Sequence, residues 1–168
     1  MPGLADPGFE LVAAAQERGS AVVPVPGPSA VTAALSVAGI DCERFTFVGF
    51  LPREGSARRA LLASMVESPF AVVAYEAPHR LLEALADVAR LFGDRPVAAV
   101  CELTKLFEQV HRATAAGLLA HYRVERPRGE FVIVIGAETG LPPAAAGGIE
   151  GGHEPGHRHR PRPGQGHP

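Results

Sequence analysis

The chain has 168 residues, 46% of them apolar, and a formal net charge of −2. That size and composition suit one or two small globular domains, and the charge excludes a sequence-wide basic surface while leaving room for a local one. Cys42 and Cys101 lack metal-ligand or disulfide spacing, and no apolar run approaches the ~20 residues of a membrane span, so a cytoplasmic protein without a membrane partner is expected.

In chain order, Asp6-Pro7-Gly8 opens a helix predicted over residues 9–18, with Leu11, Val12 and Ala15 on one side and Gly19 as its stop. Residues 21–25 read as a short strand, in which Pro24 argues against a central position. Pro26-Gly27-Pro28-Ser29 then turns into a helix over 30–38, with Ser29 as its N-cap and Gly39 as its end. A second region begins with the apolar stretch 45–51. Helices are predicted over 56–67, 78–92 and 115–122, and strands over 71–75, 97–102, 107–113 and 130–135. The alternation predicts α/β architecture with a mainly parallel or mixed sheet. From residue 138 onward Pro, Gly, His and Arg dominate, with too little apolar surface to offset the entropy of ordering. Residues 138–168 are therefore expected to form a disordered tail. Its His153, His157, His159 and His167 lack the fixed arrangement of a metal site, and no metal is expected.

Two strands end in polar blocks. Tyr75-Glu76-Ala77-Pro78-His79-Arg80 follows one apolar run, and Cys101-Glu102-Leu103-Thr104-Lys105 follows another. Ligands of open α/β sheets sit at the C-terminal ends of the strands, so Glu76, His79, Arg80, Glu102, Thr104 and Lys105 read as one functional rim. Each block also has a plainer reading: a carboxylate at a helix N-terminus for Glu76, a stem lying over the sheet for Arg80, a salt-bridged rim for Glu102 and Lys105. The strand at 21–25 poses a separate problem, because a lone parallel strand cannot satisfy its backbone groups. It either joins the second sheet as an edge or belongs with strands that precede Met1.

Asp6-Pro7-Gly8, Pro26-Gly27-Pro28-Ser29-Ala30, the Tyr75–Arg80 block, Glu102-Leu103-Thr104-Lys105 and Arg128-Gly129-Glu130-Phe131 occur in an order that resembles one family. It is the family that methylates the 2′-oxygen of a cytidine in 16S RNA of the small ribosomal subunit, within the tetrapyrrole-methylase superfamily. The resemblance runs from residue 1 to about 137 and implies a tetrapyrrole-methylase-like α/β fold. Residues 1–42 would be the C-terminal part of a first, cofactor-binding α/β domain, and residues 43–137 a complete second α/β domain with a mixed sheet. The family's N-terminal glycine loop and Ser-Asp-Ala-Gly segment have no counterpart here, which implies an N-terminally truncated chain with impaired activity and an exposed apolar patch on the remnant. A smaller departure is Ala113, where the family has glycine.

The resemblance implies S-adenosylmethionine as cofactor, 16S rRNA in the small subunit as substrate, and a homodimer. It places Gly27, Ser29, Ala30, Tyr75, Glu76, Leu103 and Thr104 around the cofactor. His79, Arg80, Lys105, Arg112 and Arg128 become the RNA-contacting residues, where cations would meet phosphate. A ribose 2′-hydroxyl is barely acidic and must lose its proton as it attacks the sulfonium methyl, so the site needs alignment and a base or a cation. Glu76, Glu102 and Lys105 are the catalytic candidates; sequence does not choose among them. Methylation of a tetrapyrrole ring, or a truncated product that keeps only dimerisation or RNA contact, are the other readings.

Overall fold

A computed structural model of the chain describes residues 3–138. Two helices come first, α1 (Phe9–Glu17) and α2 (Ala30–Ala38), followed by strand β1 (Phe45–Phe50) and helix α3 (Gly55–Ser64). Strand β2 (Ala71–Glu76) runs through a 3-10 turn, Pro78–Arg80, into α4 (Leu81–Phe92). Strands β3 (Pro96–Cys101) and β4 (Gln109–Thr114), helix α5 (Ala115–Val124) and strand β5 (Phe131–Ile135) complete the described fold. The tail expected over 138–168 lies, from residue 139 on, outside the described residues.

The strands form one mixed sheet in the order β1-β2-β5-β3-β4. β1 is parallel to β2, while β5 is antiparallel to both β2 and β3. It follows that β2 and β3 point the same way on either side of β5. Their C-terminal ends and the start of β5 therefore meet at one end of the sheet.

Successive side chains of a strand face opposite sides, and both sides are covered. Val72, Ala74, Ala99, Ile133 and Ile135 pack with Leu62, Leu85, Val88, Leu118 and Tyr122 of α3, α4 and α5. Val73, Ala98, Val100 and Val134 pack with Val31, Ala34 and Ala38 of α2. Burial on both faces explains why β2, β3 and β5 read as continuous apolar runs rather than alternating ones. Helix α2 thus shares a core with the sheet, although it precedes the expected boundary at residue 42.

Residues 21–25 do not form the expected strand. Val23 and Val25 are 78% and 87% exposed, no strand edge lies beside them, and Pro24 offers no amide. Helix α1 forms as predicted yet buries no residue, and its Phe9 and Leu11 stay exposed. Ser29 takes the N-cap position of α2, but its side chain makes no capping bond; instead the Thr32 hydroxyl donates to the Ser29 carbonyl at 3.2 Å. Gly39 ends α2 in the left-handed region, as expected. The helix predicted over 78–92 is divided, because Pro78 starts a separate tight turn before α4.

Between β4 and α5 the rings of His111 and His121 lie 4.3 Å apart, with Tyr122 edge-on to His111. Burial, and secondarily the neighbouring His121, hold the His111 pKa below its ordinary value, while Glu125 pulls it upward. The folded state thus binds fewer protons here than the unfolded chain. Stability contributed by neutral His111 is complete above the ordinary histidine pKa of ~6.5 and is lost as pH falls from there toward the depressed folded value. His111→Gln is expected to flatten the fall in melting temperature of the natural chain between about pH 6.5 and 5. Superimposable pH profiles for the two proteins would contradict this.

Candidate active site

The shared strand end opens into a cleft of about 430 Å³. Its walls come from Phe50 at the end of β1, Tyr75 of β2, Glu102, Leu103 and Lys105 after β3, and Glu130 before β5, with Ala30 of α2 and the turn at residues 4–6 closing it. Small-molecule sites commonly occupy ~300–1,000 Å³, so the cleft has the capacity for a nucleoside-sized ligand.

Tyr75 is held by two aromatic neighbours, with its ring 4.9 Å from Phe47 and 5.2 Å from Phe50. Burial pushes the Tyr75 hydroxyl pKa up, the Glu130 charge adds to that, and a hydrogen bond from the Val31 backbone offsets part of it.

The opposite wall is a tight loop. Glu102 and Thr104 both have positive φ, 50° and 64°, a conformation that costs a non-glycine residue ~1–2 kcal/mol. The loop holds itself there by several bonds. The Lys105 amide donates to the Glu102 carbonyl at 3.0 Å, and the Thr104 amide donates to Glu108 Oε2 at 2.6 Å. Lys105 Nζ lies 3.1 Å from Glu102 Oε2. The Glu102 carboxylate rests against Gly129, where φ is +73° and a β-carbon would fall within 2.5 Å of Oε1.

Of the residues expected around the cofactor, the cleft gathers Ala30, Tyr75 and Leu103, together with the candidates Glu102 and Lys105. Thr104 is in the loop, but its hydroxyl donates to the Leu103 carbonyl at 2.6 Å. Gly27 lies in an exposed segment with nothing nearer than the Val25 carbonyl at 4.0 Å from a β-carbon built on it. Ser29 is half-buried and outside the lining.

Glu76 departs furthest from expectation. It neighbours Tyr75 in sequence, and for that reason it faces the other side of the sheet. It is fully buried, with Oε1 2.6 Å from Arg80 and accepting from the Ala77 amide at 2.8 Å. Desolvation raises its pKa, against the Ala77 bond and the charges of Arg80, Arg58 and His79. A carboxylate enclosed in this way reaches no ligand in the cleft.

The expected RNA cations are dispersed for physical reasons. Arg80 is turned inward, with Glu76 and the Leu51 carbonyl as partners, the latter at 3.1 Å. Arg112 lies over Gly39 so closely that a β-carbon there would overlap its guanidinium; this puts its charge at the negative end of α2. His79 and Arg128 are exposed but do not line the cleft. Sequence reasoning missed Phe50 and Glu130. The signal for Glu130 was present, since it sits within the Arg128–Phe131 block; Phe50 had only its position at a strand end.

The sequence pattern of the family described as Tetrapyrrole (Corrin/Porphyrin) Methylases matches residues 1–119. The chain belongs to the tetrapyrrole methylase family. It is similar to ribosomal RNA small subunit methyltransferase I of Xylella fastidiosa strain Temecula1, with 49% identity over 138 residues, 80% of this chain and 50% of that protein. The chain spans about half the length of the curated relatives it matches. Among solved structures, the methyltransferase CobJ aligns with a TM-score of 0.57 at 18% identity, covering 77% of this chain and 57% of that one. A uroporphyrin-III C-methyl transferase from Thermus thermophilus, complexed with S-adenyl homocysteine, aligns with a TM-score of 0.50 at 20% identity over 74% of this chain and 57% of that one. Likeness at that identity establishes the shared fold of this tetrapyrrole-methylase chain.

Gly129 is the most sensitive backbone position of the cleft, since it combines a left-handed φ with contact to Glu102. Gly129→Ala is expected to destabilise the chain by ~1–2 kcal/mol and to displace Glu102. A urea unfolding midpoint equal to that of the natural chain would show that the 128–130 turn relaxes instead.

Proposed function

We propose that the chain acts in S-adenosylmethionine-dependent methyl transfer to the ribose 2′-oxygen of a cytidine in the RNA of the small ribosomal subunit. The observation that supports this reading is the 49% identity to a protein named ribosomal RNA small subunit methyltransferase I. The cleft supports it chemically. Phe50 and Tyr75 offer aromatic surface for an adenine, and Asp6, Glu102 and Glu130 set three carboxylates beside the single ammonium of Lys105. An acidic lining suits a ligand that carries a sulfonium and an α-ammonium. In the same reading the working form is a homodimer in the cytoplasm. Among the described residues no helix is long and apolar enough to cross a membrane.

Bound there, S-adenosylmethionine supplies a methyl group on a sulfonium, whose loss leaves a neutral thioether. The chain's part is alignment and proton handling. Ala30, Tyr75 and Leu103 fix the position of the ligand, which contributes through orientation. With the donor held there, the Glu102 carboxylate would accept the proton of the attacking ribose hydroxyl. Lys105, 3.1 Å from that carboxylate, holds it in place for the transfer. Glu76 has no part in the proton transfer, because it is enclosed with Arg80.

With tritium-labelled S-adenosylmethionine and small subunits lacking the modification, label should enter ribosomal RNA. Glu102→Gln should slow that transfer by about 100-fold, the lower end of what a general base contributes, and should weaken cofactor binding modestly, since one of the three lining carboxylates is lost. Label entering a tetrapyrrole and not RNA would favour the other substrate class of the family. Failure to label either would refute the activity of this chain.

A further inference from the structure

The loop that forms one cleft wall continues into two side chains that no core uses. Leu106 is 89% exposed and Phe107 74% exposed. They follow Lys105, which lines the cleft and is the only lysine of the sequence. The loop beneath them is fixed. Glu102 and Thr104 hold left-handed conformations, the Thr104 amide is bonded to Glu108, and the Glu108 amide donates to the Lys105 carbonyl at 3.2 Å. Beyond the loop, Gln109 enters β4 in register with Cys101. An aromatic side chain is thus held in water, two residues along the loop from an exposed cation that lines the cleft. Because the loop is already ordered, a ligand that covers Phe107 meets a small entropic penalty.

We infer that Phe107, with Leu106 beside it, is a stacking platform for an unpaired nucleobase of the RNA, with Lys105 meeting the adjoining phosphate. The inference rests on the RNA-methylating reading and adds a residue that selects single-stranded substrate. Sequence-selective RNA contacts fall on unpaired bases stacked on aromatic side chains. The pairing of an aromatic with a neighbouring ammonium matches the repeating base and phosphate of such a strand. The Glu108 carboxylate is engaged by the Thr104 amide at 2.6 Å, which turns it into the loop and away from an approaching phosphate. A second protein chain fits this tip less well. One aromatic and one aliphatic side chain offer roughly 300 Å² of apolar surface, against the ~800 Å² per partner of an ordinary stable interface.

The chain contains no tryptophan, so Phe107→Trp introduces a single indole fluorophore at the platform. The probe is a cytidine-containing single-stranded RNA of about twelve nucleotides, within the usual range of site sizes. The account expects saturable quenching of the indole emission by this RNA, with an affinity close to that of the natural chain. Phe107→Ala should bind the RNA about tenfold more weakly, with an unchanged slope against salt because no phosphate contact is removed. Affinity for S-adenosylhomocysteine and melting temperature should stay as in the natural chain, since Phe107 belongs to neither core. If the natural chain binds the RNA and Phe107→Ala binds it equally well, the platform is refuted while the RNA reading stands. If the natural chain does not bind the RNA at all, both fall. Quenching that follows protein concentration, with light scattering showing a dimer lost in Phe107→Ala, would assign the surface to a second copy of the chain and overturn the inference.

Discussion

A carboxylate with no solvent exposure must have its charge answered inside the protein, and the way Glu76 is answered sets the geometry of the whole strand-end region. Arg80 meets it at 2.6 Å and also donates to the Leu51 carbonyl at 3.1 Å. The Leu51 amide in turn donates to the Tyr75 carbonyl at 3.2 Å. The exit of β2 and the segment after β1 are thereby locked together beneath the cleft. With Glu76 anchored on the α4 side, strand periodicity places Tyr75 on the α2 side. There it packs with Phe47 and Phe50. Removing either member of a buried pair leaves the other charge unanswered, so the natural residues are held in place by the cost of losing one.

The opposite cleft wall is fixed by different means. Here the backbone itself is strained, at Glu102 and Thr104, and hydrogen bonds within the 102–108 loop hold it. Gly129 leaves room for the Glu102 carboxylate, which a side chain at that position would not. One wall therefore depends on a buried ion pair and the other on a constrained turn. Such strain is found where ligands are gripped. Three carboxylates, of Asp6, Glu102 and Glu130, line the cleft together with the ammonium of Lys105, whose side chain is 65% exposed.

Much of the fold was legible because the strands are buried on both faces and the helices on one. The runs 71–74, 97–101 and 131–135 within β2, β3 and β5 are apolar, and α2 and α4 end at glycines. The quoted motifs also converge on one end of the sheet, where Tyr75, Glu102, Leu103 and Lys105 line the cleft. Residues adjacent in sequence were harder to separate. Tyr75 and Glu76 share a motif but not a face. Arg80 and Arg112 looked like free cations, yet their partners, Glu76, Leu51 and Gly39, come from segments that only the folded chain brings close. Residues 21–25 have the β-branched composition of a strand, but composition does not supply a neighbouring strand to pair with.

The central claim is that the cleft between Tyr75 and the Glu102–Lys105 loop is where S-adenosylmethionine sits. The direct measurement is a titration of the isotopically labelled chain with S-adenosylhomocysteine, followed by amide chemical shifts. The account predicts saturable shifts at Val31, Tyr75, Leu103, Lys105 and Glu130, and none at the buried Arg58–Asp87 pair between α3 and α4, whose side chains meet at 2.8 Å. Shifts centred on α3 and α4 with the cleft residues unmoved would contradict it.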